Sequence, residues 1–269
     1  MKNKKRELLQ VLFLIAVALL PWIIDFSGFL TKAITAGMDV DFKYYVAITS
    51  GKGVAGFVLL ALAYVYIVRR SNKEYIFNES GNAYYNHSYA WYWICGNIFG
   101  YKKCSLVRVP IPMQFKLLIN QVFREYTYGN DNNYVCTTDE EILVSIDKGK
   151  TEAVNLVLSD TYPISNDLLP GVVREYKTVR IKREHTGDGN RYISDTFCSE
   201  VQKIVYRLVQ SGCDTLNIFP TTNAAHNIRI VQNSFMQGGR GDIKHIYVFS
   251  QPHSSEGDWR FSDKGVEVR

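Results

Sequence analysis

The sequence predicts a membrane α-helical hairpin of two transmembrane helices joined to a cytosolic α/β domain. Three observations carry this. Two apolar runs, residues 8–24 and 54–68, stand close together near the start. Basic residues flank the pair: Lys2, Lys4, Lys5 and Arg6 before the first run, Arg69, Arg70 and Lys73 after the second. From Ala153 onward, short apolar strands alternate with helical patterns, as in an α/β unit with a largely parallel sheet. The expected division is a hairpin over 1–70, an aromatic-rich linker or small α+β module over 71–150, and the α/β domain over 151–269.

A spanning helix needs ~20 residues. The first run reaches that length by continuing past Asp25 to Leu30, and the second by starting as early as Tyr44. No small-x-small cleavage site follows Leu20, and a second apolar run comes soon after, so a retained anchor is expected rather than a cleaved signal peptide. The net charge of +5 is concentrated at the outer flanks of the hairpin, and the loop between the runs has no basic excess. Positive flanks favour the cytoplasm, which puts both termini inside. The basic balance is thereby spent on topology, and no DNA or RNA polymer is expected as a partner.

Asp25 has two readings: it marks the outer interface, or it faces a partner helix or an aqueous path. Lys52 snorkels outward or pairs with Asp25. Ala47, Gly51 and Ala55 recur every four residues with Gly56 adjacent, a stripe that suits close helix packing. Five cysteines, an odd number with no CxxC, argue against a disulfide framework or a zinc site and for reduced thiols.

Residues 71–150 are the least legible. Tyr84, Tyr85, Tyr89, Trp91, Tyr92, Trp93, Phe99 and Tyr101 form a core, an interfacial belt or a stacking surface, in that order of preference. Residues 106–109 read as a short strand stopped by Pro110 and Pro112. Residues 114–126 carry helical spacing through Phe115, Leu118, Ile119, Val122 and Phe123.

The α/β half is clearer. Strands are expected at 153–158 and 178–182, and then a helix at 195–210, capped by Ser194 or Asp195 and stopped by Gly212. A strand follows at 214–219, then a helix opening after Thr221-Thr222-Asn223 with Ala224, Ile228, Val231 and Phe235 inward. Strands at 243–249 and 260–268 close the chain.

No HExxH, GxSxG or Walker loop is present, and no catalytic or metal-ligating set is expected. Gly187-Asp188-Gly189 and Arg240-Gly241-Asp242 read as turns. In open α/β sheets, ligands sit at the carboxyl ends of the strands. That edge here comprises Ser159, Asp160 and Thr161, then Pro220, Thr221, Thr222 and Asn223, then Ser250 and Gln251, with His226 one turn into the helix. The helix N-terminus after Asn223 suits a phosphate. The other reading is that Thr222 or Asn223 only caps its own helix.

The run LVLSDTYPI, then NDLLP, TVRIKR, DTLNIFPTTNAAHNI and IKHIYVF, resembles the carboxyl-terminal half of a SAVED domain, a Rossmannoid relative of the CARF fold. Thr221-Thr222-Asn223 departs from that family's more usual small, apolar loop. With two membrane helices in front, the chain is similar to the two-transmembrane SAVED effectors of CBASS antiphage defence. That resemblance implies an effector in the cell inner membrane, activated by a cyclic oligonucleotide, with a homo-oligomer disrupting the bilayer, no cofactor beyond that ligand and no enzymatic step. Two other classes stay open on the residues alone: a nucleotide-processing enzyme using Asp160, Asn223 and His226, and a membrane-anchored interaction protein.

Overall fold

The computed structural model describes residues 2–24, 42–79, 84–129, 134–137, 140–184, 191–236, 243–251 and 259–269, with side chains in the hairpin from Lys5 to Ile24 and from Gly51 onward. Asp25, the loop charges up to Asp41, Gly187-Asp188-Gly189 and Arg240-Gly241-Asp242 lie outside the described residues, as does the side chain of Ala47. The chain forms two compact units, residues 1–81 with 94–103, and residues 82–93 with 104–269.

In the first unit, helix α1 spans Lys2–Ile23 and helix α2 starts as Phe42–Leu62. Helix α2 continues through a wider π-helical stretch, Ala63–Arg69, and a last turn, Arg70–Lys73. Two segments, Lys5–Ile23 and Gly51–Lys73, are long and apolar enough to cross a membrane, and only 6% and 17% of their most apolar windows are buried. A core helix of a water-soluble protein would be mostly buried. Here Leu9, Trp22, Val54 and Phe57 present their side chains outward, which suits hydrocarbon rather than water.

The two helices meet at Gly56. A Cβ there would lie 2.6 Å from the carbonyl oxygen of Ala18, so no larger residue fits without displacing backbone. Among the described residues, the anticipated small-residue stripe is thus used at one point: a Cβ at Gly51 would meet nothing within 4 Å, and Ala55 is exposed. Past the apolar stretch, side chains close the hairpin. The amides of Gln10 and Asn72 exchange two hydrogen bonds, of 2.7 and 3.0 Å, and Asn72 also donates to the Phe99 carbonyl at 2.9 Å. Tyr101 donates to Glu7 at 2.8 Å. Burial, with Glu7 beside it, pushes the Tyr101 phenol above its ordinary value. Arg6 donates to Ser71 and stacks over Tyr75.

The second unit is built on a six-stranded mixed sheet. Its strands are β2 (Ile142–Asp147), β3 (Lys150–Ser159), β4 (Tyr176–Arg183), β6 (Thr215–Pro220), β7 (His245–Val248) and β8 (Val266–Glu267). The spatial order is β8-β7-β6-β3-β4-β2. The four inner strands are parallel, and β8 and β2 run antiparallel at the edges. The largely parallel sheet is therefore present with antiparallel margins, and it recruits β2 from before residue 151. A separate parallel pair joins β1 (Val135–Thr137) to β5 (Tyr192–Ser194).

Helix α3 (Ile111–Ile119) precedes the sheet; α4 (Asp195–Gln210) and α5 (Ala224–Ile230, continued by a π turn over Val231–Phe235) connect its strands. Ser194 caps α4 by accepting from Phe197 N at 3.1 Å, and Gly212 stops it at φ +78. α4 buries Phe197, Val201, Ile204, Val205 and Leu208 along one stripe. The other sheet face carries no α-helix among the described residues, only two 3-10 turns, Asn166–Leu168 and Gly171–Val173. Val157 and Phe219 there pack with Ile164, Leu169, Val173, Phe249 and Phe261, which come from the loops after β3 and β7.

Between 84 and 129 the boundaries differ from expectation. The expected strand at 106–109 is a turn, with Arg108 at φ 62, and the strand lies earlier, at Lys103–Ser105. The helix expected at 114–126 starts at Ile111 and ends at Ile119, because Gln121 adopts φ 48; Glu125–Thr127 is then a strand. Pro110 supplies the N-cap and Pro112 sits in the first turn, where its missing N–H costs nothing. Of the aromatic cluster, Tyr85, Tyr92, Phe99 and Tyr101 are core residues, whereas Tyr84 and Trp93 are exposed. The last strand is only Val266–Glu267, shorter than the 260–268 expected.

Candidate ligand site at the carboxyl edge of the sheet

β4 lies on one side of β3 and β6 on the other, so the strand order reverses at β3. The carboxyl ends of β3 and β6 stand side by side at that point, with Leu158 opposite Pro220. Open α/β sheets place ligands at such a reversal.

Thr221 stitches the two ends. Its N–H donates to Leu158 O at 3.0 Å, and its hydroxyl accepts from Asp160 N at 3.2 Å and donates to Tyr162 O at 2.9 Å. Thr161 returns two bonds to the Thr221 carbonyl, one from its N–H at 3.2 Å and one from its hydroxyl. Ser159 accepts from Ile164 N at 3.2 Å, which folds the loop back on itself.

Asp160 is the hub behind this edge. It is fully buried. Its Oδ2 accepts from Asn223 N (3.1 Å), Asn223 Nδ2 (3.1 Å) and His226 Nδ1 (2.6 Å). Its Oδ1 lies 2.8 Å from Arg183 Nε, and Arg183 Nη1 lies 3.3 Å from Glu140 Oε1. The Arg183 guanidinium also sits 4.4 Å from the Tyr192 ring centre. His226 Nε2 accepts from the backbone N–H of Ser194 at 2.8 Å, which places the ring proton on Nδ1, toward Asp160.

Asn223 is the N-cap of α5: its Oδ1 accepts from His226 N at 3.0 Å, and its Nδ2 donates to Tyr192 O at 2.8 Å. The helix end expected to receive a phosphate is thus filled by the chain's own carboxylate, Asp160, and the capping reading describes Asn223. Thr222 donates to Asn227, and Asn227 donates to Gln114 on α3 at 2.8 Å. Asp160, Thr222 and His226 therefore form the scaffold of the edge rather than its surface. Glu140, Arg183, Tyr192 and Ser194 belong to the same network and were not among the expected site residues. The signal for them was indirect: a buried carboxylate demands a cation, and Arg183 ends a strand beside it.

The surface of the edge is different. Thr161, Asn223, Ser250 and Gln251 are half-buried there. Ser250 Oγ lies 3.4 Å from Ser262 Oγ, and Gln251 donates to the Trp259 carbonyl at 2.9 Å. Tyr162 and Trp259 stack at 26° with ring centres 6.4 Å apart.

The pattern of the SMODS- and Ubiquitin system-associated 2TM effector domain, SUa-2TM, matches residues 1–264. The chain belongs to the SUa-2TM family. Its two apolar helices match in number the two transmembrane segments that the description names, and the matched residues also cover most of the α/β unit. No curated protein matches the chain. Among solved structures it is similar to the Acinetobacter baumannii Cap4 SAVED/CARF-domain containing receptor with the cyclic trinucleotide 2'3'3'-cAAA, at 11% identity and a TM-score of 0.45, covering 66% of this chain and 41% of the receptor. The same receptor with 3'3'3'-cAAA gives 9% identity, a TM-score of 0.44 and the same coverage. The SUa-2TM chain thus spans under half the length of those receptors.

Proposed function

We propose that this SUa-2TM chain is a ligand-gated membrane effector of a CBASS-type antiphage system. A cyclic oligonucleotide binds the carboxyl edge of the cytosolic sheet, the bound form self-associates, and the gathered hairpins breach the inner membrane. Both termini lie in the cytoplasm, the side that basic flanks favour. The protein performs no chemistry on the ligand.

The observation that carries this is the pairing, in one chain of a 2TM effector family, of two outwardly apolar helices with an α/β unit whose switch-point edge is polar and ordered. The resemblance of the strand-and-loop run from LVLSDTYPI to IKHIYVF to a SAVED half supplies the ligand class. The non-enzymatic reading is supported by burial: Asp160 and His226 are fully enclosed and bonded to each other and to the backbone. Gating requires only that the ligand bind the assembled state more tightly than the free one.

Thermal unfolding of the full chain in lipid nanodiscs tests ligand binding. The first probes are the two cyclic trinucleotides named for Cap4, with cyclic dinucleotides and linear AMP as comparison. A ligand at 100 times its Kd stabilises by about 2.7 kcal/mol, so one cyclic probe should raise the Tm by several degrees while AMP does not. An unchanged Tm across the panel would contradict the proposal.

A further inference from the structure

Tyr162 and Trp259 are large aromatic residues that the fold leaves 59% and 52% exposed. They are not needed to close the core beneath them. Val157 and Phe219 on that sheet face are already covered by Ile164, Phe249 and Phe261, with Phe219 stacked on Phe249 at 4.4 Å and edge-on to Phe261 at 5.2 Å.

The two rings are nevertheless held in place. The Thr221 hydroxyl donates to Tyr162 O at 2.9 Å. The segment carrying Trp259 is fixed by three bonds: Gln251 to Trp259 O at 2.9 Å, Phe261 N to Leu168 O at 3.0 Å, and Ser262 N to Ser250 O at 2.8 Å. Rigid backbone therefore presents a stacked aromatic pair to solvent, at the edge where the strand order reverses. The surroundings are polar rather than apolar: Thr161, Ser250 and Gln251 lie beside the pair, each half-buried and holding an internal hydrogen bond. Arg260, the next residue, is also exposed and acts on the carboxylate of Asp167. An exposed π surface edged by polar groups matches a nucleobase, not an apolar protein surface.

We propose that the Tyr162–Trp259 pair is the base-stacking platform of the ligand edge, on whose outer face one nucleobase of the cyclic oligonucleotide lies. This rests on the ligand class proposed above and assigns its contact. Stacking tolerates every base but grips purines hardest, so adenine- or guanine-containing rings are the preferred ligands.

The test is binding of a cyclic triadenylate to the full chain in nanodiscs, read by the quenching of tryptophan fluorescence and by calorimetry. Trp259→Ala and Tyr162→Ala should each weaken binding about tenfold or more, the range expected for one lost base stack, with Tm unchanged in the absence of ligand. Trp259→Phe should keep affinity within about threefold, since a ring remains to stack, and lose the quench. Unchanged Kd in both alanine variants would overturn the platform while leaving the receptor reading intact. No binding by the unaltered chain would instead strike the receptor reading itself.

Discussion

Oδ2 of Asp160 lies 2.6 Å from Nδ1 of His226, with both side chains shut away from solvent. Arg183 holds the other carboxylate oxygen at 2.8 Å. One carboxylate thereby ties together the ends of β3 and β4, the cap of α5 and, through Ser194, the start of α4. This cluster sits directly behind the proposed ligand edge.

Removing the hub should be severe. Asp160→Ala leaves Arg183 buried with Glu140 as its remaining carboxylate at 3.3 Å, and breaking a buried pair costs about 3–5 kcal/mol. The expected result is a large fall in Tm or loss of folded protein. A melt within about 1 °C of the parent would show that the cluster carries no stability, since even 1 kcal/mol shifts a domain of this size by more.

A second prediction contrasts glycines within one helix. Gly56→Val drives a side chain into the Ala18 carbonyl and should separate α1 from α2, seen as a lower Tm and loss of cysteine cross-linking between engineered positions on the two helices. Gly51→Ala and Gly53→Ala meet nothing within 4 Å. They should be neutral or stabilising by about 0.5–1 kcal/mol, from the lower flexibility of alanine.

The third concerns Asn155, fully buried in mid-strand. It donates to Val173 O at 2.7 Å and to Thr178 at 3.1 Å, and accepts from Asn217 at 3.1 Å. Asn155→Leu strands three partners without solvent and should cost about 1–3 kcal/mol by chemical denaturation. A stability equal to that of the parent would contradict this.

Cysteine chemistry gives the fourth. Cys136 is exposed, whereas Cys95, Cys104 and Cys198 are buried. Burial, with Asp160 near, pushes the Cys198 thiol up to about 12. Native-state alkylation at pH 7.5, followed by mass mapping, should label Cys136 first and Cys198 only on unfolding. The linked stability has a definite sign. The folded chain keeps a proton that the unfolded chain releases near its ordinary value of roughly 8.5, so this contribution is complete below that pH and declines as pH rises toward 12. Cys198→Val should flatten part of the alkaline decline.

The α/β half was legible because its residues obey simple periods. α4 shows a 3.6-residue stripe from Phe197 to Leu208 with a serine cap, β6 is a short, almost wholly buried run that ends at Pro220, and the inward residues of α5 fall where helical spacing and capping place them. β2 was not legible. As an edge strand it exposes Leu143, Val144 and Ile146 on both faces, so no alternation marks it. The turn at Arg108 and the break at Gln121 need positive φ from residues that seldom adopt it, which no pattern announces. At the site, the loops at the strand ends were recognisable, but their roles were not. Sequence order cannot tell that Asp160 turns inward onto Arg183 and His226, or that Trp259 returns to stack on Tyr162, because both are long-range pairings.

The central claim is that ligand capture at the sheet edge turns the hairpin against the bilayer. Dye release from liposomes carrying the full chain measures it directly. The account predicts little release from the unliganded protein, rapid release when the cyclic trinucleotide that raises the Tm is added, and none with linear AMP. Release that is equally fast with and without that ligand, or absent in its presence, would contradict the account.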